Sequence, residues 1–353
     1  MDLRLNQNKK MNIRALVKTN LNDTELTEAK NLFVHTPFSA FIQNPEYEKV
    51  IGRNALHVLL YSEDLVSIMG YALVEAKKKL LTTISFGPIC SDENLFPLLA
   101  ASCIKALQEY GFKIIRFQPP GIQLKIWNKT LSHLQEKCTS FSLPSELNWS
   151  TLILDISLSE EELVKSFSEN HRRSLKKAKN ENLVIEQVTD IKEMNDFAKG
   201  LCKMYGARKI PNDLEIEKER LKNLFVFSVE KKNGLILSVK KGAQLLGGII
   251  LIKHNNSIFY LLGFSDPDFK NIPVNHLLFL KSFEWAKSLG CNSFDFGGYG
   301  RPGYADYQVL NINRFKEGFK GRRIDYPDTI LIAKNSLYQF IYTNYIKLGR
   351  RKK

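Results

Sequence analysis

Pro97-Leu-Leu-Ala-Ala-Ser-Cys-Ile-Lys-Ala-Leu-Gln-Glu-Tyr-Gly111 reads as an amphipathic helix closed by a glycine. It leads into the strand Ile114-Ile-Arg-Phe-Gln118 and the turn Pro119-Pro120-Gly121. The same unit recurs as His276-Leu-Leu-Phe-Leu-Lys-Ser-Phe-Glu-Trp-Ala-Lys-Ser-Leu-Gly290, Ser293-Phe-Asp-Phe296 and Gly297-Gly-Tyr-Gly300. A constant offset of 179 residues pairs Leu98 with Leu277, Leu99 with Leu278, Gly111 with Gly290, Phe117 with Phe296 and Gly121 with Gly300. Chance likeness of two helix–strand units is the alternative. The constancy of the offset favours an internal duplication.

Upstream of each helix lie three β-rich segments. Ala55–Tyr61, Val66–Val74 and 80–86 precede the first, and Leu235–Val239, Leu245–Ile252 and Ser257–Gly263 the second. The expected fold is therefore α/β (α+β) in two tandem domains, each a mostly antiparallel sheet with flanking helices. The polar stretch Pro144–Trp149 places the boundary, with a first domain over 1–148 and a second over 149–324. A chain of 353 residues is long enough for two cores.

Composition narrows the class. Hydrophobic residues make up 44% and charged residues 25%, the usual globular balance. The first residues lack the apolar core of a signal peptide, and no apolar run approaches the roughly 20 residues that span a bilayer. Cys90, Cys103, Cys138, Cys202 and Cys291 lie at least 13 positions apart, with no close pair for zinc or redox work. A reduced, cytoplasmic chain without metal or cofactor is the expectation.

The net charge of +14 is concentrated. Residues 165–179 hold Lys165, Arg172, Arg173, Lys176, Lys177 and Lys179 against Glu169. Residues 314–323 hold Arg314, Lys316, Lys320, Arg322 and Arg323 against Glu317. After Asp328 come Lys334, Lys347, Arg350, Arg351, Lys352 and Lys353, and no acid. Such patches suit a polyanion, whether tRNA, a diphosphate-linked substrate or an anionic membrane, or else form a solvated surface.

Ser159-Glu-Glu-Glu162 is a capping box, from which one helix is expected to run to Lys179. At 100° per residue Leu163, Phe167, His171, Ser174, Leu175 and Ala178 share one side, and Arg172, Arg173, Lys176, Lys177 and Lys179 share the other. The final stretch, with Leu337, Tyr338, Phe340, Ile341, Tyr342, Tyr345 and Leu348 at helical spacing, either docks on the first domain or lies on an anionic bilayer.

Several segments, taken in order, resemble the Fem family of non-ribosomal peptidyltransferases. They are Phe38-Ser-Ala-Phe-Ile-Gln-Asn-Pro-Glu-Tyr47, Gly87-Pro88, the basic segment Ser168–Ala178, Met204-Tyr-Gly-Ala-Arg208, Asp295-Phe-Gly-Gly298 and Ile312-Asn-Arg-Phe-Lys-Glu-Gly-Phe-Lys320. The resemblance implies paired acetyltransferase-like domains, with the final segment (325–353) completing the first. It implies a short form, since residues 180–235 lack the heptads of the family's helical hairpin. It also implies an aminoacyltransferase that carries an amino acid from aminoacyl-tRNA to an amine of a nucleotide- or lipid-linked cell-wall precursor.

By the same resemblance Lys316 is the catalytic lysine that stabilises the acyl-transfer intermediate. Arg208 binds substrate phosphate, Tyr260 lines the acceptor cleft, and Lys49 is the first domain's nearest phosphate-binding candidate. Arg172, Arg173, Lys176 and Lys177 are expected to meet the tRNA. Lys316 is read as lying on a strand, with Phe315 inward and Lys316 on the opposite face.

Two other classes stay open. One is an N-acyltransferase using a donor such as acyl-CoA in polysaccharide or lipid modification. Against it, Phe269-Lys-Asn-Ile-Pro-Val-Asn275 and Ser91-Asp-Glu-Asn-Leu-Phe-Pro97 offer no glycine-rich pyrophosphate cradle. The other is a non-enzymatic RNA- or membrane-surface-binding protein, for which the basic patches and the peripheral membrane contact of the last helix speak.

Overall fold

The two copies of the repeated segment fold alike. The computed structural model describes residues 12–63, 66–78, 80–137, 140–142, 148–301 and 307–351. The chain divides into two compact units, Met1–Asn148 with Tyr326–Lys353, and Trp149–Asp325. Most of the expected boundary stretch, from Pro144 to Leu147, lies outside the described residues, as do Cys138 and the first eleven residues.

Unit 1 begins with β1 (Ile13–Lys18), α1 (Asp23–His35) and the short α2 (Glu48–Ile51). The strands β2 (Ala55–Ser62), β3 (Ile68–Lys78), β4 (Leu81–Ser85) and β5 (Ile89–Cys90) follow. Then come α3 (Phe96–Tyr110), β6 (Ile114–Gln118), α4 (Leu124–Lys137) and β7 (Ser140–Ser142). Unit 2 holds β8 (Ser150–Asp155), α5 (Glu160–Ser166), α6 (Glu169–Lys179), β9 (Val184–Gln187), α7 (Met194–Ala207) and α8 (Leu214–Phe225). It continues with β10 (Gly234–Lys241), β11 (Gln244–His254), β12 (Ser257–Ser265), α9 (Val274–Ser288), β13 (Ser293–Gly298), α10 (Tyr307–Glu317) and β14 (Arg322–Asp325). The last elements, β15 (Ile330–Ala333) and α11 (Ser336–Arg351), return to unit 1.

The sheets have one neighbour order. It is β1-β2-β3-β4-β6-β15-β7 in unit 1, with β5 beside β3, and β9-β10-β11-β12-β13-β8-β14 in unit 2. In each, one ladder is parallel, β4 with β6 and β12 with β13, and the others are antiparallel. The parallel pair is joined by the long helix, as a crossover requires.

The strand between the last two positions is exchanged. β8 follows unit 1 along the chain but inserts between β13 and β14, while β15 follows unit 2 and inserts between β6 and β7. The 179-residue offset holds here too, because Ser150-Thr-Leu-Ile-Leu154 matches Thr329-Ile-Leu-Ile-Ala333. The duplication therefore includes the strand that follows each repeat along the chain and joins the sheet of the other repeat.

Each long helix covers one face of its sheet. In unit 1, Leu99, Cys103 and Leu107 of α3 pack with Val58, Leu60, Val74, Ile115, Phe117 and Trp127. In unit 2, Phe279 of α9 is the hub of a ring cluster, 5.2–5.8 Å from Phe294, Phe296, Phe315 and Phe319. Edge-to-face and tilted packing suits the ring quadrupoles, and truncating such a hub to alanine costs about 3–5 kcal/mol.

Two expectations are corrected. The basic segment is two helices, because Phe167 is extended (ψ 158°) and Ser168 caps the second by accepting from the His171 N–H. Phe167 is buried against Phe283 and Phe319, and that anchor fixes the break. Lys316 lies on the helix α10, not on a strand, so Phe315 and Lys316 both turn inward instead of alternating. The capping box Ser159–Glu162 is present at the start of α5.

Candidate active site

The parallel ladder of unit 2 stops short. β12 and β13 pair from Ser257–Ser293 to Phe259–Asp295, although β12 runs on to Ser265 and β13 to Gly298. Both strands are irregular just past that point. On β12, Leu251 faces Tyr260 and Ile250 faces Leu262, so Leu261 is an extra residue that bends the strand. On β13 the register with β8 shifts between Asp295 and Gly298.

Gly297 has φ 68°, and a Cβ there would stand 2.8 Å from the Tyr260 carbonyl oxygen. Only glycine meets both conditions without strain. A Cβ on Gly298 would lie 2.8 Å from the Trp149 ring.

Lys316 reaches this place from α10. It is 5% exposed, and its Nζ donates to the Gly298 carbonyl oxygen at 2.6 Å. The ammonium also stands 6.0 Å from the centroid of the Tyr260 ring. Burial lowers the Lys316 pKa to about 8, and the Asp295 charge opposes that shift. Burial raises the Asp295 carboxyl in turn, against the Thr151 hydroxyl, the Gly297 N–H at 2.7 Å and the Lys316 charge, which all favour its ionised form.

Tyr260 is partly buried and stacks edge-on against Phe279 at 4.9 Å. Burial pushes its hydroxyl up to about 12, with the Arg208 charge opposing. At neutral pH it is a phenol able to donate. Gly263 clears its space, since a Cβ there would lie 2.7 Å from the hydroxyl.

The seat of α10 is set from both ends. Asn313 is buried and clamps the loop after β13, accepting from the Gly300 N–H at 3.1 Å and donating to the Gly300 carbonyl at 2.6 Å. His171 of α6 donates through Nε2 to the Phe315 carbonyl at 2.8 Å, and Gly318 leaves its ring room. The basic helix is thereby pinned beside the segment that carries Lys316.

The other expected site residues stand as follows. Arg208 is exposed at the end of α7, and its carbonyl accepts from the Gln308 amide at 3.2 Å. Arg172 caps the C-terminal end of α5, donating to the carbonyls of Lys165 and Phe167 at 2.8 and 2.9 Å. Arg173 pairs with Glu169 at 2.7 Å, and Lys176 and Lys177 are exposed on the same helix. Lys49 is exposed on α2 and belongs to unit 1, whereas Lys316, Tyr260 and Arg208 belong to unit 2.

Asp295, Thr151, Gly297 and Asn313 were not assigned roles from the sequence. Asp295-Phe-Gly-Gly298 was the available signal, but the role of its carboxyl depends on a bend that neighbouring residues do not reveal.

Other chemistry is thin. The Cys90 and Cys103 thiols are pushed up to about 12 by burial, far from a reactive thiolate. Among the described residues, no group of three or more His, Cys, Asp and Glu side chains is placed to hold a metal ion. A groove of about 640 Å³ at the far end of β8 and β13, lined by Asp155, Asn292, Lys320 and Arg322, is separate from Lys316.

Comparison with known proteins agrees with this architecture. Residues 165–309 match the family model described as "Acetyltransferase (GNAT) domain". The chain is similar to a crystal structure of FemX at TM-score 0.71, with 15% identity over 93% of this chain and 99% of that one. It is similar to L-PGS from Bacillus licheniformis at TM-score 0.57, with 13% identity over 90% and 94%. A tandem GNAT protein from the clavulanic acid biosynthesis pathway gives 0.57, with 8% identity over 92% and 99%. No curated protein matches the sequence. At these identities the structural likeness speaks for the fold, a pair of acetyltransferase-like domains like that of FemX, and the match of residues 165–309 supports an acyltransferase.

Proposed function

We propose that this acyltransferase moves an aminoacyl group from aminoacyl-tRNA to an amine of a cell-wall precursor. The observation that carries the reading is the buried Lys316 ammonium at the point where the β12–β13 ladder ends, beside a protonated Tyr260. The amine nitrogen attacks the ester carbonyl carbon, whose oxygen gains negative charge. The ester C–O bond then breaks, and the released ribose hydroxyl takes up the proton that the amine gives up.

Because the ester is already activated, orientation and charge stabilisation suffice. One Lys316 proton is used on Gly298, which leaves two on the ammonium to meet the developing oxyanion. Asp295 holds the bend that positions Gly298, and it offsets part of the burial cost of Lys316. Arg208 is suited to substrate phosphate by its exposed guanidinium near Tyr260, and the cations of α6 and Lys49 to the polyanionic donor or acceptor.

Two features favour an aminoacyl ester over a CoA thioester as donor. At the start of α9, the Val274 N–H bonds to the Ile272 carbonyl at 2.9 Å and the His276 N–H to the Pro273 carbonyl at 3.2 Å. Pro273 has no N–H, so the helix offers few free donors to a pyrophosphate. The approach to α3 is acidic, with Asp92 and Glu93 before it.

The acceptor class is the finer part of the proposal. The fold shared with L-PGS makes a lipid acceptor the arm to run beside a nucleotide-linked one. The test incubates purified protein with labelled aminoacyl-tRNA and, in parallel, labelled acetyl-CoA, with each acceptor. Transfer from tRNA alone supports the reading, and transfer from acetyl-CoA alone replaces it.

A further inference from the structure

We infer that α11 lays its outward face on an anionic lipid bilayer, which makes unit 1 a membrane-surface module. The inference goes beyond the acyl-transfer reading and does not rest on it.

The helix is docked on one side. Tyr342 is buried and Tyr338 partly so, packed with Ile114 of β6, Leu331 of β15 and Leu81 of β4. Leu337, Phe340 and Ile341 lie elsewhere on the helix, about 130° round from the two tyrosines at 100° per residue. They are 62%, 67% and 51% exposed. Other large apolar side chains at the surface, such as Val34, Leu124 and Ile216, stand in separate elements. Scattered exposure is ordinary, but three such residues within five positions of one helix form a patch that water disfavours.

Charge selects the occupant. From Tyr326 onward the only acid is Asp328, and beyond it the sequence carries Lys334, Lys347 and the run Arg350–Lys353. An apolar ridge with cations and no following acid fits a surface that is uniformly anionic and apolar just beneath, which describes a bilayer rich in acidic headgroups. Among the described residues no helix is long and apolar enough to cross a membrane, so the contact is one of lying on the surface. The apolar insertion and the headgroup attraction are each weak, and binding needs both.

The test is cosedimentation of the full chain with phosphatidylcholine vesicles, with and without an equal share of phosphatidylglycerol. The parent is expected to bind the mixed vesicles, and to release them as salt is raised. Replacing Leu337→Ser, Phe340→Ser and Ile341→Ser together should weaken partitioning about tenfold or more, as should Lys347→Gln with Arg350→Gln and Arg351→Gln. Leu337, Phe340 and Ile341 are exposed, so the unfolding transition of the apolar variant should not move. A Phe340→Trp variant should gain fluorescence that brominated acyl chains quench.

Transfer to a soluble acceptor should survive both sets of substitutions, which separates this claim from the catalytic one. No binding to the mixed vesicles, or binding that the apolar triple variant leaves intact, overturns the inference. So does a concentration-dependent dimer that the triple variant abolishes while vesicles bind nothing, since that would assign the face to a second copy.

Discussion

The two units have the same strand order, but they treat the parallel ladder at the centre of each sheet differently. In unit 1, β4 and β6 pair without interruption from Leu81–Ile114 to Ser85–Gln118. In unit 2 the matching ladder ends at Phe259–Asp295, and the bulge at Leu261 and the bend at Gly297 follow at once. The positions proposed to carry chemistry in unit 2 carry something else in unit 1. By the ladder registers Arg116 stands for Asp295 and Ile84 for Tyr260, and at an offset of 179 residues Pro119 stands for Gly298.

Unit 1 instead buries His57 between the Tyr71 hydroxyl at 2.8 Å and the Glu48 carboxylate at 2.7 Å, a knot that ties α2 to the sheet. A duplicated fold can thus keep one sheet zipped along its parallel ladder and leave the other open, and the open one is where we propose the chemistry. What differs is a few residues at the end of one ladder.

The largest test of that contrast is Lys316→Met against Arg116→Met. The first should lower turnover about 100-fold, the scale for losing one oxyanion donor. The second removes a half-buried guanidinium whose Nε has no partner among the described residues, and should leave turnover within about twofold. A large loss from Arg116→Met would break the division of labour.

Lys316→Met should also melt no lower than the parent. Its folded pKa is below the ordinary lysine value, so the charged side chain opposes folding below about pH 8, and that cost fades toward 10.5.

Next comes Gly297→Ala, which forces a side chain into φ 68° and against the Tyr260 carbonyl. We expect about 1–3 kcal/mol of destabilisation and a turnover loss of about tenfold, read by urea titration and initial rates. Unaltered kinetics would mean that the bend does not position Lys316.

Acid should weaken unit 2 through a histidine pair. His276 is lowered to about 4 by burial and by His171, which is itself lowered. The unfolded chain therefore takes up these protons first, and stability falls as pH drops from 6.5 toward 4. In a calorimetric series unit 2 should lose on the order of 1–3 kcal/mol over that window. His276→Phe should flatten the fall, and an equal slope in that variant would remove the pair as its cause.

The smallest expected effect is at the donor surface. Lys176→Gln with Lys177→Gln should reduce the salt slope of tRNA binding by about 2 and leave turnover at saturating donor unchanged.

The repeat was legible because the glycine that ends each helix and the apolar pattern before it are local properties, and the offset carried both. The same offset runs through Ser150–Leu154 and Thr329–Ala333, but which sheet a strand joins is a long-range matter, so the exchange is not written in either segment. Phe315-Lys316 misled because two residues cannot distinguish a period of 2 from one of 3.6. The break at Phe167 was hidden for a related reason, since an apolar residue at helical spacing also fits a buried extended one. Asp295 acquires its role only when Gly297 turns its N–H back onto the carboxylate.

The central claim is that the Lys316 ammonium, at the end of the unit 2 ladder, stabilises the acyl-transfer transition state. It is tested most directly by the single-turnover rate of transfer from aminoacyl-tRNA, followed from pH 6 to 10 in the parent and in Lys316→Met. The account predicts a parent rate that falls as pH rises through about 8, where Lys316 loses its proton, and a variant about 100-fold slower with no falling limb. A parent rate that keeps rising through that range in parallel with the variant, or a variant as fast as the parent, would contradict it.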